Sequence, residues 1–468
     1  MSSRPTPNYF GFADASEATN DELKMQHIPL DVQTKLKYGS RAAGASVVVG
    51  IKGSGKTDLR RHIAASDKTA VTLELDTSTK YFVLDANKLK LTSGRIKNVL
   101  AVQLLQTFAD QRSRTGTRAQ RTRQKLQNVA TRTREIVGNI PAAIDLTLPI
   151  ASLDLAELAA TRHTTVINDA WESLVQGLAD SLSPQRGYIL IDDVEDVFPG
   201  IQANPDFLEG LVRAVVEINA KLGARLHVLL FVKHGIWRHW FENQREYDRV
   251  KAYIRHLSWN HMSLVELVAR RIAWRHGIDP GAETTQALWA REFLFNRFED
   301  FTLQFTSLCV NGPRDVIDLC NRCAELAGDR PIQIHDLDTV IATGMPSYSE
   351  EKHRQIRADF GDVYPDIERL VADVLGGSRA VMAYQELVAL CEDKAFMDTN
   401  TSERYRKHRW FNRAPAEIAS LLYEVGAVGI MDADRVVYVI DGPYRTFRGD
   451  ETVRVHPALW SILAIVQL

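Results

Sequence analysis

The run Gly50-Ile51-Lys52-Gly53-Ser54-Gly55-Lys56-Thr57 constrains this chain more than any other feature. Glycines at 50, 53 and 55 let the backbone turn tightly and aim several N–H groups at one point. Ala45-Ser46-Val47-Val48-Val49, just before, is short and β-branched and reads as a buried strand. The sequence from Lys56 onward reads as a helix. A strand, a glycine loop and a helix in this order predict a cradle for phosphate oxygens. Lys56 would meet the β- and γ-phosphates, Thr57 would give magnesium an oxygen, and the helix N-terminus would add its dipole. The expected ligand set is Gly50, Lys52, Gly53, Ser54, Gly55, Lys56 and Thr57, with Asp58 next in line.

A chain of 468 residues exceeds one compact core, so more than one domain is expected. A net charge of -2 excludes a polyelectrolyte built as a whole for nucleic acid, so any basic surface must be local. No apolar run reaches the ~20 residues that span a bilayer. Met1-Ser2-Ser3-Arg4-Pro5-Thr6 lacks the apolar core of a signal peptide, and a reducing cytoplasm is the expected location. Cys320 and Cys323 form a CxxC with no second ligand pair nearby, so they read as buried helix cysteines.

Strands alternate with helices through the first half. Val71–Leu75, Tyr81–Leu84, Tyr188–Ile191 and Leu226–Val232 read as strands, and Phe207–Leu222 as an amphipathic helix. This alternation predicts an α/β fold with a parallel sheet. The loop and the strand at 188 lie about 135 residues apart, longer than a minimal core, so 95–183 is read as including a helical insertion. The expected boundaries are an N-terminal segment over 1–43 with scattered aromatics, a core over 44–260, an all-helical region over 261–345 and a last unit over 346–468. Residues 345–365 are polar and read as a connector. The last unit is expected to hold helices and then short strands at Val428–Ile430, Val436–Val439 and Thr452–Val455.

Tyr188-Ile189-Leu190-Ile191 ends in Asp192-Asp193, which puts two carboxylates at the strand end where open α/β sheets bind ligands. Asp192 is the expected magnesium partner through water, and Asp193 the group that polarises an attacking water, with Glu195 the competing base. The next strand ends Phe231-Val232-Lys233-His234, where Lys233, or else His234, would face the γ-phosphate; a surface lysine is the alternative. Asn311-Gly312-Pro313-Arg314-Asp315 opens a helix, and Arg314 either reaches the phosphates or pairs with Asp315.

These pieces, in this order, resemble the AAA+ and STAND branches of P-loop ATPases, and more narrowly a bacterial P-loop ATPase family. The resemblance covers roughly residues 41 to 468. Under it, Leu229–Lys233 is similar to a sensor 1 strand. His256–Trp259 and the helix Met262–Ile272 are similar to the last sheet strand entering a helical lid. Gly312-Pro313-Arg314-Asp315 is similar to the lid's glycine-proline-arginine turn, and Leu421–Leu459 resembles a winged helix-turn-helix. Most AAA+ enzymes carry glutamate where Asp193 stands; the Asp-Asp pair resembles the slower STAND switches. The resemblance thus implies ATP and Mg²⁺ as cofactors, and a regulatory ATPase whose nucleotide sets the angle of lid to core. Its output would come from a separate effector protein or a homo-oligomer, as in prokaryotic antiviral defence. No Asn-Lys-x-Asp guanine-reading motif is present, so ATP is the default.

The competing expectation is a DNA-binding ATPase resembling replication initiators. Arg112 to Arg134 is a basic stretch with no acidic residue, and Arg404, Arg406, Lys407, His408, Arg409 and Arg413 form a second. Against it, the helix Ala414–Val425 is expected to bury Ile418, Leu421, Leu422 and Val425 and to expose Glu417, Ser420 and Glu424, a poor face for a phosphate-lined groove. Arg238, Arg245 and Arg249 are possible trans contacts to a neighbouring subunit's nucleotide. A small-molecule kinase is a third reading, which the helical lid argues against.

Overall fold

The computed structural model describes residues 8–13, 45–66, 71–75, 164–182, 186–194, 205–223, 225–240, 247–279, 281–310, 312–343, 347–361, 363–411, 414–432, 435–439 and 445–466, with 17, 19, 97, 100, 101, 104, 105 and 108. The strand expected at 81–84, the basic stretch 112–134, Glu195, Arg245, Asn311 and Arg413 lie outside the described residues. Two compact units form: one from 29–50 and 59–257, the other from 1–28, 51–58 and 258–468.

The first unit is α/β. Its strands are β1 (Val47–Gly50), β2 (Val71–Leu75), β3 (Gly187–Ile191), β4 (Leu226–Lys233) and β5 (Ile254–His256). They form one all-parallel sheet in the order β2-β3-β4-β1-β5. The side-chain period of two sorts each strand onto two faces, both covered. Val47 and Val49 of β1 share a core with Leu73, Ile189, Val228 and Leu230, against α2 (Thr164–Ser181) and α3 (Pro205–Leu222). Val48 faces the other way, into a core with Leu190, Leu229, Phe231 and Leu59. Leu59 belongs to α1 (Lys56–Ser66). One half-buried amide stitches α3 to the sheet: Asn219 Nδ2 donates to Val228 O (2.8 Å) and Ser46 Oγ (2.9 Å), and Val228 N–H donates to Asn219 Oδ1 (2.7 Å). Parallel pairing brings the C-terminal ends of β1, β3 and β4 to one edge, with Gly50 in register with Lys233. A short α4 (His234–Trp240) follows β4 at that edge.

The second unit begins with helices α5 (His261–Arg275), α6 (Thr285–Trp289), α7 (Phe298–Thr306), α8 (Pro313–Ala327) and α9 (Ile334–Ala342). Cys320 and Cys323 are buried on α8. The polar stretch read as a connector is instead largely helix α10 (Tyr348–Phe360). Its start is fixed by a reciprocal cap: Ser347 Oγ accepts from Glu350 N–H (3.2 Å) and Glu350 Oε2 accepts from Ser347 N–H (3.3 Å). Helices α11 (Ile367–Leu375), α12 (Tyr384–Cys391), α13 (Thr399–Arg406) and α14 (Pro415–Glu424) follow. A four-stranded antiparallel sheet completes the unit, ordered β6-β9-β7-β8 from β6 (Val381–Ala383), β7 (Val428–Asp432), β8 (Arg435–Val437) and β9 (Thr452–Val455). Strand β8 is the one expected at 436–439, shifted to 435–437; β6 was not foreseen.

The exposed face expected of α14 needs correction. Glu424 is buried, and its Oε1 accepts from Tyr364 O–H at 3.1 Å. Glu417 is exposed but caps its own helix, its Oε2 accepting from Ala414 N–H at 3.0 Å. The two-carboxylate argument against nucleic acid therefore falls. A different one replaces it. Arg404 pairs with Asp373 at 2.8 Å, and Lys407 and His408 pair with Asp366 at 3.4 and 2.9 Å. Three residues of the second basic run are thereby paired within their own fold, through two carboxylates.

His456, beside Tyr438 in the small sheet's core, makes stability pH-dependent. Burial pushes its imidazole from 6.5 down to about 3, partly offset by Asp315 and the Cys309 backbone. The unfolded chain takes up this proton near 6.5 and the folded chain only near 3, so the stabilisation is complete above pH 6.5 and lost as pH falls toward 3. The expected loss across that window is as much as about 4 kcal/mol. Urea midpoints measured from pH 7 to 4 should fall steeply in the wild type and less in His456→Gln; parallel curves would sink the assignment.

Candidate functional site

Gly50 ends β1, and the chain passes straight into Ile51–Thr57. Ser54 N–H donates to Ile51 O at 3.2 Å, closing the turn. Gly53 and Gly55 hold φ of 82° and 90°, a region that side chains with a Cβ avoid. Lys56 and Thr57 open α1, where backbone N–H groups lack intrahelical partners. Lys56 Nζ donates to Ile51 O at 2.9 Å, so the ammonium curls over the loop.

The loop is braced from three directions by the unit it packs with. Trp259, read as a strand residue, lies beyond β5, and its indole N–H donates to Ser54 O at 2.8 Å. A Cβ on Gly55 would stand 3.8 Å from the same ring. Trp259 is itself fixed, because Asn260 next to it caps α5, accepting from Ser263 N–H at 2.9 Å. The second brace is the start of α8. Gly312 sits at φ 83° and Pro313 takes the first helical position, which needs no N–H. The N–H of Arg314, in the first turn of that helix, donates to Gly53 O at 3.4 Å. Arg314 thus meets the loop through its backbone, where the sequence pointed to its side chain. The third brace is Lys52, whose Nζ lies 3.4 Å from Asp359 Oδ1 on α10.

At the sheet's C-terminal edge stand the carboxylates. Asp192 N–H donates to Leu75 O at 2.9 Å, continuing the ladder, and its side chain is buried. Arg60, which the sequence reading passed over, neutralises it: Arg60 Nε lies 3.6 Å from Asp192 Oδ2 and Nη1 3.6 Å from Glu74 Oε2. Its spacing of four from Lys56 on one helix was the available signal. Asp193 is half-buried with φ 49°, an uncommon backbone for a residue other than glycine, and its N–H donates to Asp192 Oδ1 at 3.1 Å. Lys233 ends β4 half-buried beside Gly50, and His234 after it is buried. His256, at the end of β5 and in register with Val49, is pushed down to about 4 by burial, so its imidazole is neutral at pH 7.

A threonine hydroxyl such as that of Thr57 and a carboxylate such as that of Asp192 are ligand types that magnesium takes alongside waters and phosphate oxygens. They do not suit an all-protein cage, and among the described residues no group of three or more His, Cys, Asp or Glu is arranged to hold a metal alone. Among the described residues no helix is long and apolar enough to cross a membrane. No protein family, curated protein or solved structure matches this chain.

Proposed function

We propose that this chain is a magnesium-dependent ATP-binding and ATP-hydrolysing regulatory ATPase, a P-loop NTPase with a helical lid and a winged-helix-like C-terminal unit. The observation that carries this reading is the loop Ile51–Thr57. It joins a central parallel strand to a helix, turns on two left-handed glycines, and starts the helix at Lys56-Thr57. Closely approaching anionic oxygens would account for that combination of bare backbone, helix N-terminus and lysine.

In this reading Gly50, Lys52, Gly53, Ser54, Gly55 and Asp58 form or flank the cradle, and Lys56 holds the phosphates. Thr57 and Asp192 hold magnesium, which offsets charge on the phosphate oxygens. Asp193 polarises the attacking water, Lys233 and Arg314 stabilise charge, and Glu195 is the alternative base. The loop's contacts with α8 and α10 give occupancy a mechanical outlet, which supports a switch acting on a separate effector or on further copies of the chain. The pairing of Arg404, Lys407 and His408 with Asp373 and Asp366 argues against the DNA-binding alternative.

Asp193→Ala tests the catalytic half. MgATP affinity should stay within about threefold, while the hydrolysis rate should fall ~100-fold or more, the size of a general-base contribution. Calorimetry and a phosphate-release assay read the two separately. Normal turnover in this variant would remove Asp193 as the base and pass the role to Glu195.

A further inference from the structure

The loop carries two lysines with different partners. Lys56 turns onto its own loop, donating to Ile51 O. Lys52 leaves the loop for Asp359, 3.4 Å away. Asp359 is the penultimate residue of α10, a place where a carboxylate opposes the negative end of the helix dipole. Its side chain is only 8% exposed, whereas that of Lys52 is 38% exposed. A nearly buried carboxylate at the wrong end of a helix is tolerated because a cation meets it, and that cation belongs to the phosphate loop.

The same helix is tied at its other end. Lys352 Nζ donates to Asp315 Oδ1 at 2.8 Å, one residue after Arg314 of α8. Ser349 Oγ accepts from Ile462 N–H at 3.1 Å, beyond β9. Helix α10 therefore links the loop, the start of α8 and the segment after β9.

We propose that Asp359 is a nucleotide-discriminating residue of the phosphate loop, a resident anion on Lys52 that disfavours a nucleoside triphosphate relative to the diphosphate. The inference rests on the reading of Gly50–Thr57 as a nucleoside phosphate site. A bound nucleotide brings negative oxygens to the loop, so Lys52 then serves two anions. The triphosphate carries one more negative charge than the diphosphate and feels the Asp359 carboxylate more strongly. Its binding weakens the Lys52–Asp359 pair and loosens the C-terminal end of α10, whereas the diphosphate leaves the pair closed.

The test is calorimetric titration of the full-length chain with MgATP and MgADP, in the wild type, Asp359→Asn and Asp359→Glu. The wild type should bind MgADP more tightly than MgATP. Asp359→Asn should gain about tenfold in MgATP affinity and less in MgADP affinity, narrowing the ratio, and the gain should shrink in high salt. Asp359→Glu keeps the charge and should keep the wild-type preference. Lys52 is partly exposed, so losing its partner leaves the fold intact, which a thermal melt checks. If both nucleotides bind and the ratio is the same in wild type and Asp359→Asn, the inference falls and the phosphate-site reading stands. If the folded wild type binds neither nucleotide, that reading falls and takes the inference with it.

Discussion

Lys56→Ala should lose MgATP binding by at least about 100-fold with an unchanged melting temperature. Charge-assisted hydrogen bonds are worth ~1.5–3 kcal/mol each, and an ammonium shared between two phosphate groups makes more than one of them. In the folded chain Lys56 Nζ donates to Ile51 O at 2.9 Å, a contact within a six-residue turn that other loop bonds keep closed. Removing the side chain therefore strips the site of its charge without opening a core. Lys56→Arg is the informative control. It keeps the charge, but its planar fork does not fit a turn shaped around a point charge, so it should recover only part of the affinity. Titration calorimetry reads both variants. Undiminished affinity in Lys56→Ala would mean that Gly50–Thr57 is a structural turn, and the functional reading would go with it.

The parts of this site that were legible in the sequence are local. Val47–Val49, Tyr188–Ile191 and Leu226–Val232 announce themselves by β-branched and aliphatic runs bounded by glycine or acid, and all three become central strands. The loop is legible because its glycines and Lys56-Thr57 are contiguous. What stayed hidden depends on residues that meet only after folding. Arg60 is one charge among many on a helix until β3 brings Asp192 to it. Trp259 lacks a periodic pattern, so nothing local separates a strand end from a brace on Ser54. Glu424 reads as solvent-facing because it is charged; Tyr364, far away in sequence, makes its burial possible. Helix α10 is a different failure. Its polar composition suggested a connector, yet Ser347-x-x-Glu350 is a capping signature that sequence alone carries. The reciprocal Ser347–Glu350 cap starts the helix despite its polar composition.

That helix carries the second large effect. Lys352→Met should destabilise the chain by about 3–5 kcal/mol, the cost of stranding a buried charge. Asp315 is fully buried, and the side chain of Lys352 is 3% exposed. Burial alone would lower the lysine's pKa, but the Asp315 charge and hydrogen bond, joined by the charges of Asp318 and Glu351, outweigh it and hold the pKa above its usual value. The ammonium also donates to Gln355 Oε1 at 2.9 Å and lies 4.9 Å over the Tyr348 ring, whose O–H donates to Leu308 O. Losing it takes this cation from the fully buried Asp315 carboxylate. The double variant Lys352→Met/Asp315→Leu separates this penalty from the value of the pair. An apolar pair of similar volume removes the stranded charge, so the double variant should recover most of the loss. Urea unfolding followed by tryptophan emission reads the series, and a single variant as stable as the wild type would contradict the buried-pair account. Stability close to the wild type in the double variant would also say why an ion pair stands where hydrophobic packing would serve. Asp315 follows Arg314, the residue whose N–H reaches Gly53 O, and Lys352 shares a helix with Asp359. A directional charge pair fixes the register of α8 against α10, whereas apolar side chains allow those helices to slide. The double variant should therefore keep its stability and lose the difference between MgATP and MgADP affinity.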